Sequence, residues 1–212
     1  VPHFCCTIFE VVNKLWKRAK MPPKYPYKKM VLPKELASMK DETGKLTPEM
    51  LTTSVNGAKF WRWAGIAFNQ MFNDAEKAGL KLQNIGDYRS YEQQLAMFKD
   101  RYSTTDGGRK PQVTRTWDGK TWYLKPKMSP SSSPGRSNHG LGLAIDLNVT
   151  KAEVLNWLCE NAPKYGFYLQ SDDPKSPEFE NWHWQYVCGD ATPEAVKTRY
   201  EANQAKKAAK GK

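Results

Sequence analysis

Histidine is the scarcest residue type with obvious chemistry in these 212 residues: there are three, His3, His139 and His183. No HExxH sequence pairs any two of them, so the common helical zinc-protease arrangement is excluded. Four cysteines are too few to hold a fold of this length by disulfides, and none belongs to a CxxC. No apolar run approaches the ~18 residues of a membrane-spanning helix, so such a helix is excluded. There is no internal repeat and no regular βαβ alternation. Aromatic residues are plentiful, at 12% with eight tryptophans, and hydrophobic residues reach 39%. A disordered chain would be poorer in both, so one domain with a real core and tails is expected.

The net charge of +11 is uneven, with +3 on residues 1–20, +4 on 199–212 and only +4 on everything between. Basic ends favour any polyanion, whether nucleic acid, an anionic membrane face or an acidic cell-wall polymer, or act as solvated tails. In residues 1–20 the positive charges follow the apolar residues, the reverse of a secretory signal. The segment reads as extraneous or processed, with a surface-binding amphipathic helix as the alternative. Residues 21–56 read as an N-terminal surface arm, with a short helix opened by Thr47-Pro48-Glu49. The main domain is expected over 57–198 and a basic tail over 199–212.

Within that domain a long helix is expected from about Ala58 to Ala78, ended by Gly79. A short strand candidate, Leu82 to Tyr88, leads into Ser90 and Gln93, a capping box for a helix to about Tyr102. Two alternating runs around Asp118-Gly119 predict a β-hairpin over 112–125, inserted ahead of a flexible Ser/Pro/Gly linker, SPSSSPG. Leu143 to Val149 predicts a strand, Thr150 and Glu153 a second capping box, and Asn181 to Val187 another strand. Thr192-Pro193-Glu194 opens a final helix. The mixture predicts an α+β fold, a small antiparallel sheet flanked by helices, with the hairpin as an inserted arm.

Two histidines fall in the best-defined strand regions. In SNHGLGLAID, alternation puts Leu143, Ile145, Leu147 and Val149 on one face and Ala144, Asp146 and Asn148 on the other. Gly140 and Gly142 permit a tight bend between His139 and the strand. In ENWHWQY, Trp182, Trp184 and Tyr186 share the core face, while Asn181, His183 and Gln185 share the other. Glu180 has the wrong parity to sit beside His183 and must reach it from a bend. Two imidazoles and a carboxylate make a three-ligand zinc set with a fourth position open. With a second carboxylate as proton carrier, that set suits metal-assisted amide hydrolysis. Ordinary core or turn roles account equally for any one of these residues taken singly.

The ordered motifs SNHGLGLAID and ENWHW, with DYRSYEQQ and NAPKYGF, resemble the D-Ala-D-Ala metallocarboxypeptidases of the vancomycin-resistance (VanY-like) type. That family lies within the lysostaphin, D-Ala-D-Ala metallopeptidase and hedgehog superfamily. The resemblance spans roughly Ile85 to Val187 and implies a hedgehog-like fold. It implies His139, Asp146 and His183 as zinc ligands, Glu180 as general base and acid, and Arg89 as the cation at the scissile carbonyl. It implies Ser137 and Trp182 near the substrate. Gln93 aligns with a family glutamine, although capping suffices to explain it. The chain departs from the pattern at Asp87, where glycine is usual, and in the hairpin arm. Trp117, Trp122 and Tyr123 on that arm are expected to contact the glycan or peptide stem.

The implied activity is a zinc-dependent peptidoglycan peptidase, a D-alanyl-D-alanine carboxypeptidase before all, working at the periplasmic or extracellular face of a bacterial wall. An L-Ala-D-Glu endopeptidase acting as a phage endolysin or virion-associated lysin is the alternative, favoured by the missing export signal. A non-catalytic metal-binding module is the second alternative. Nucleic acid is not an expected partner, since no recognised motif supports it. Cys159 and Cys188 read as packing residues whose pairing is left open.

Overall fold

The computed structural model describes residues 24–108 and 113–210. The segment 1–20 and the last two residues of the basic tail therefore lie outside the described residues. In chain order the elements are β1 Leu51–Thr53, β2 Lys59–Trp61, α1 Arg62–Lys77, β3 Asn84–Gly86, α2 Tyr91–Arg101 and β4 Tyr102–Ser103. They continue with β5 Thr114–Trp117, β6 Lys120–Leu124, β7 Ala144–Leu147, α3 Ala152–Asn161, β8 Phe167–Leu169, β9 His183–Tyr186 and α4 Glu194–Lys210.

The central sheet has four antiparallel strands in the order β3-β7-β9-β8. Its register pairs Ile145 with Trp184 and Asp146 with His183. Period-two alternation then separates two faces. Ile145, Trp184, Phe167 and Tyr186 join α1, through Phe68 and Met71, in one buried cluster. Phe68 packs 6.1 Å from Phe167, ring centre to ring centre, and Phe60 4.8 Å from Phe68. Asp146 and His183 look the other way. The α+β expectation with a small antiparallel sheet holds.

The N-terminal arm is more than a surface arm. Leu36 is fully buried and Tyr25 and Leu46 nearly so, while Tyr27 and Val31 make parallel bridges to Leu169 and Cys188. The helix expected after Thr47 is a single 3-10 turn, Pro48–Met50, with no side-chain cap bond, and the chain passes directly into β1. The long helix starts at Arg62, because Lys59–Trp61 pairs with β1 across the turn at Gly57. Phe60 and Trp61 extend the helical stripe in sequence, which hides a three-residue strand.

The capping box at Ser90 is present in both halves. The one expected at Thr150 is not: Thr150 bonds Asn148 Oδ1 instead, and Lys151 precedes the helix without capping it. The hairpin forms as the alternation requires, with Asp118 and Gly119 at φ 52° and 66°. A third strand, β4, completes its sheet in the order β4-β6-β5. Residues 129–135, read as a flexible linker, form a strap bonded along its length to α2 and the arm.

Candidate metal centre

His139 sits in a 3-10 turn, Asn138–Leu141, wedged under the N-terminal arm. Gly44 N–H donates to the Gly140 carbonyl at 2.8 Å, and Trp61 N–H to the Gly142 carbonyl at 2.9 Å. Contacts this close leave no room for side chains: a Cβ on Gly140 would lie 2.5 Å from Gly44 N, and one on Gly142 2.4 Å from Trp61 N. His139 is buried, and its Nδ1 lies 2.8 Å from the Asp87 carbonyl oxygen. A carbonyl only accepts, so that contact is a hydrogen bond when Nδ1 carries the proton. Nε2 is then left with its lone pair facing Asp146.

Asp146 and His183 reach the same point because β7 and β9 pair them directly. His183 Nδ1 lies 2.9 Å from Asp146 Oδ1, and His139 Nε2 lies 3.4 Å from Asp146 Oδ2. The three ligand atoms all fall within 4.8 Å of one another. A tetrahedral ion with bonds of ~2.0–2.2 Å separates its ligands by roughly 3.3–3.6 Å, so the donor set fits zinc. Gly86, on the other neighbour of β7, completes the fit: a Cβ there would stand 2.8 Å from Asp146 Oδ2.

The charges are consistent with a ligand set. Burial alone would raise the Asp146 carboxyl, but the two imidazoles beside it, His139 and His183, hold it well below the usual carboxylate range. Burial lowers His139, against the pull of Asp146 and with the help of His183 and Arg89, and so favours the neutral imidazole a metal needs.

Glu180 stands three residues before His183, in the bend its parity requires: its carbonyl accepts from His183 N–H at 3.0 Å. Glu180 is exposed as a residue. Desolvation pushes its pKa up; His183 pulls it down, Asp146 pushes it up and Arg101 pulls it down. Arg89 donates from Nη1 to Gln94 Oε1 at 2.8 Å, and its backbone N–H to the His139 carbonyl at 3.3 Å. Burial lowers the guanidinium pKa and the Asp146 charge opposes that. Ser137 is buried, with its N–H on Thr43 Oγ1 at 3.0 Å. Trp182 is half-buried, whereas Trp184 and Tyr186 are fully buried, so Trp182 stands apart from the core layer its strand parity predicted.

Gln93 closes the capping box, its Oε1 accepting from Ser90 N–H at 2.9 Å, the role that sufficed to explain it in the sequence. The glutamine bonded to Arg89 is its neighbour Gln94, which is 2% exposed. Asp87 replaces the usual glycine without a positive φ. Its Oδ2 accepts from Lys59 N–H at 2.8 Å, tying the Arg89 turn to β2, while its carbonyl faces His139. On the hairpin arm, Trp117 and Trp122 pack on Phe98 of α2 at 5.7 and 5.2 Å and remain half-buried. Cys159 and Cys188 are free thiols.

A family model described as VanY, D-alanyl-D-alanine carboxypeptidase, matches residues 60–189, more than half of the chain. The chain is 30% identical over 139 residues to the Bacillus subtilis protein YodJ, provisionally named a carboxypeptidase, covering 58% of this chain and 45% of that one. It is 28% identical over 127 residues to a D-alanyl-D-alanine carboxypeptidase of Enterococcus faecalis, covering 55% and 44%. The chain thus spans less than half the length of these relatives. The solved LdcB LD-carboxypeptidase shares the fold, at 24% identity and a TM-score of 0.50 over 76% of each chain.

Proposed function

The chain belongs to the VanY family of D-alanyl-D-alanine carboxypeptidases, and from that premise we propose that it is a zinc peptidase removing the terminal D-alanine from peptidoglycan stem peptides. The observation that carries the reading is the convergence of His139 Nε2, Asp146 and His183 Nδ1 on one point beside Glu180 and Arg89. Those three side chains would hold the ion. When bound, zinc supplies Lewis acidity toward the scissile carbonyl and toward water.

The remaining work falls to the protein. Glu180, its pKa raised, takes a proton from the attacking water as the oxygen bonds the carbonyl carbon. It returns that proton to the amine nitrogen as the C–N bond breaks, releasing D-alanine. Arg89 directs N–H donors at the carbonyl oxygen as negative charge builds there. Ser137 and Trp182 line the approach of the peptide. The basic residues of α4, exposed over residues 201–209, attract the anionic polymers of the cell wall. Among the described residues no helix is long and apolar enough to cross a membrane.

The test is Glu180→Gln, which keeps the shape and removes the base. On a peptide ending in D-Ala-D-Ala, kcat should fall by about 10²–10⁴-fold while bound zinc stays at the wild-type level. An unchanged kcat would remove Glu180 from the reaction.

A further inference from the structure

The strap 129–135 joins the hairpin arm to the His139 turn, and side chains take its carbonyls one after another. Arg101 Nη1 lies 3.4 Å from the carbonyls of Ser129 and Pro130. The Tyr102 hydroxyl donates to the Ser131 carbonyl and accepts from the Ser131 N–H, both at 3.2 Å. Arg115 Nε, from β5, donates to the same Ser131 carbonyl at 3.2 Å. The next carbonyl, that of Ser132, accepts from Gln94 Nε2 at 2.7 Å.

That last bond decides how Gln94 faces Arg89. A primary amide has one accepting and one donating end. With its NH2 committed to a carbonyl that can only accept, Gln94 must turn its Oε1 toward Arg89, which donates to it at 2.8 Å. The orientation of the Arg89 guanidinium therefore depends on where the strap holds one backbone carbonyl.

We propose that Tyr102 and Arg115 are positioning residues of the site: by clamping Ser131 they fix the Ser132 carbonyl, which orients Gln94 and, through it, Arg89. The inserted arm is then part of the catalytic apparatus, although its tryptophans are turned onto Phe98. The proposal rests on the reading of Arg89 as the cation at the scissile carbonyl. Tyr102 is 1% exposed with its ring stacked on Phe98 at 4.7 Å, so its hydroxyl can be removed while the ring stays packed.

The experiment compares wild type with Tyr102→Phe, Arg115→Ala, Arg115→Lys and the Tyr102→Phe/Arg115→Ala pair. On a peptide ending in D-Ala-D-Ala, the pair should lose about 10–100-fold in kcat, the scale of a misplacement of ~1 Å. KM should stay within about threefold, as for an interaction felt in the transition state. Bound zinc should not change, and Arg115→Lys should recover part of the loss. Adding Gln94→Ala to the pair should cost nothing further, because the three act as one chain. Fully additive losses, or an unchanged kcat, overturn the proposal. A second readout needs no turnover: the Arg89 Nε–Hε resonance should move in the Tyr102→Phe/Arg115→Ala protein, and an unmoved resonance overturns the proposal. A wild type that releases no D-alanine overturns the carboxypeptidase reading instead, and the Arg89 resonance still decides the positioning claim.

Discussion

At the scale of single residues, the site depends as much on what is small as on what is reactive. Gly86 lies beside Asp146 across the sheet, and a methyl group there would stand 2.8 Å from Oδ2. Gly86→Ala should displace the carboxylate and weaken zinc affinity by about 10–100-fold, the usual cost of disturbing a ligand's support. Competition with a chromophoric chelator reads this, and wild-type affinity in the variant would show that Asp146 does not hold the ion. Glu180 carries a second consequence. Its pKa is raised first by desolvation, with Asp146 also raising it and His183 and Arg101 opposing. In the metal-free protein the Glu180 carboxyl should therefore titrate above the usual glutamate value of about 4.3, as followed by carboxyl NMR. A midpoint at or below that value would contradict the desolvated environment.

At the scale of elements, Asp74 ties α1 to two others. It accepts from Tyr165 OH at 2.7 Å, ahead of β8, and from Arg199 Nη1 at 2.6 Å on α4, besides Lys77 within its own helix. Burial alone would raise the Asp74 carboxyl, but these donors hold it well below its ordinary range. Tyr165 is pushed up to about 12 by burial and by Asp74. Asp74→Ala leaves the buried Tyr165 hydroxyl without its acceptor and should cost about 1–3 kcal/mol by denaturant unfolding. Since folding depresses the Asp74 pKa, the stability it contributes is full above about pH 4 and drains as pH falls toward the folded value. The variant should lose that part of the acid dependence; an identical acid slope in both proteins would rule the network out.

The same scale explains what could be read in advance. Strands β7 and β9 announce themselves by period-two alternation over four or more residues, and that alternation alone turns Asp146 and His183 away from the core. The Ser90 capping box and the Asp118-Gly119 turn are equally local. Strands β1, β2 and β8 have three residues each, too few to show a period, and exist because of distant partners. The strap looked flexible because its Ser/Pro/Gly composition says nothing about the Gln94, Tyr102 and Arg115 donors that hold it. Gln94 is not legible in the sequence because capping, which Gln93 satisfies, is a local pattern and an amide wedged between a strap and an arginine is not.

At the scale of the whole molecule, the sheet separates labour. One face builds the core with α1 and the other presents the ligands, with the N-terminal arm bonded to the His139 turn beside it. Residues 199–212 carry +4 of the net +11, most of it on α4, the helix that packs on α1. The central claim is that this His-Asp-His centre makes the chain a zinc-dependent enzyme acting on a stem-peptide terminus. The most direct measurement is mass analysis of purified pentapeptide muropeptides incubated with the zinc-loaded protein, the chelated protein and the chelated protein restored with zinc. The account predicts loss of a single terminal D-alanine with zinc, none after chelation, and recovery on restoration. Release that persists after complete removal of the metal, or cleavage elsewhere in the stem with the terminal D-alanine left in place, would contradict it.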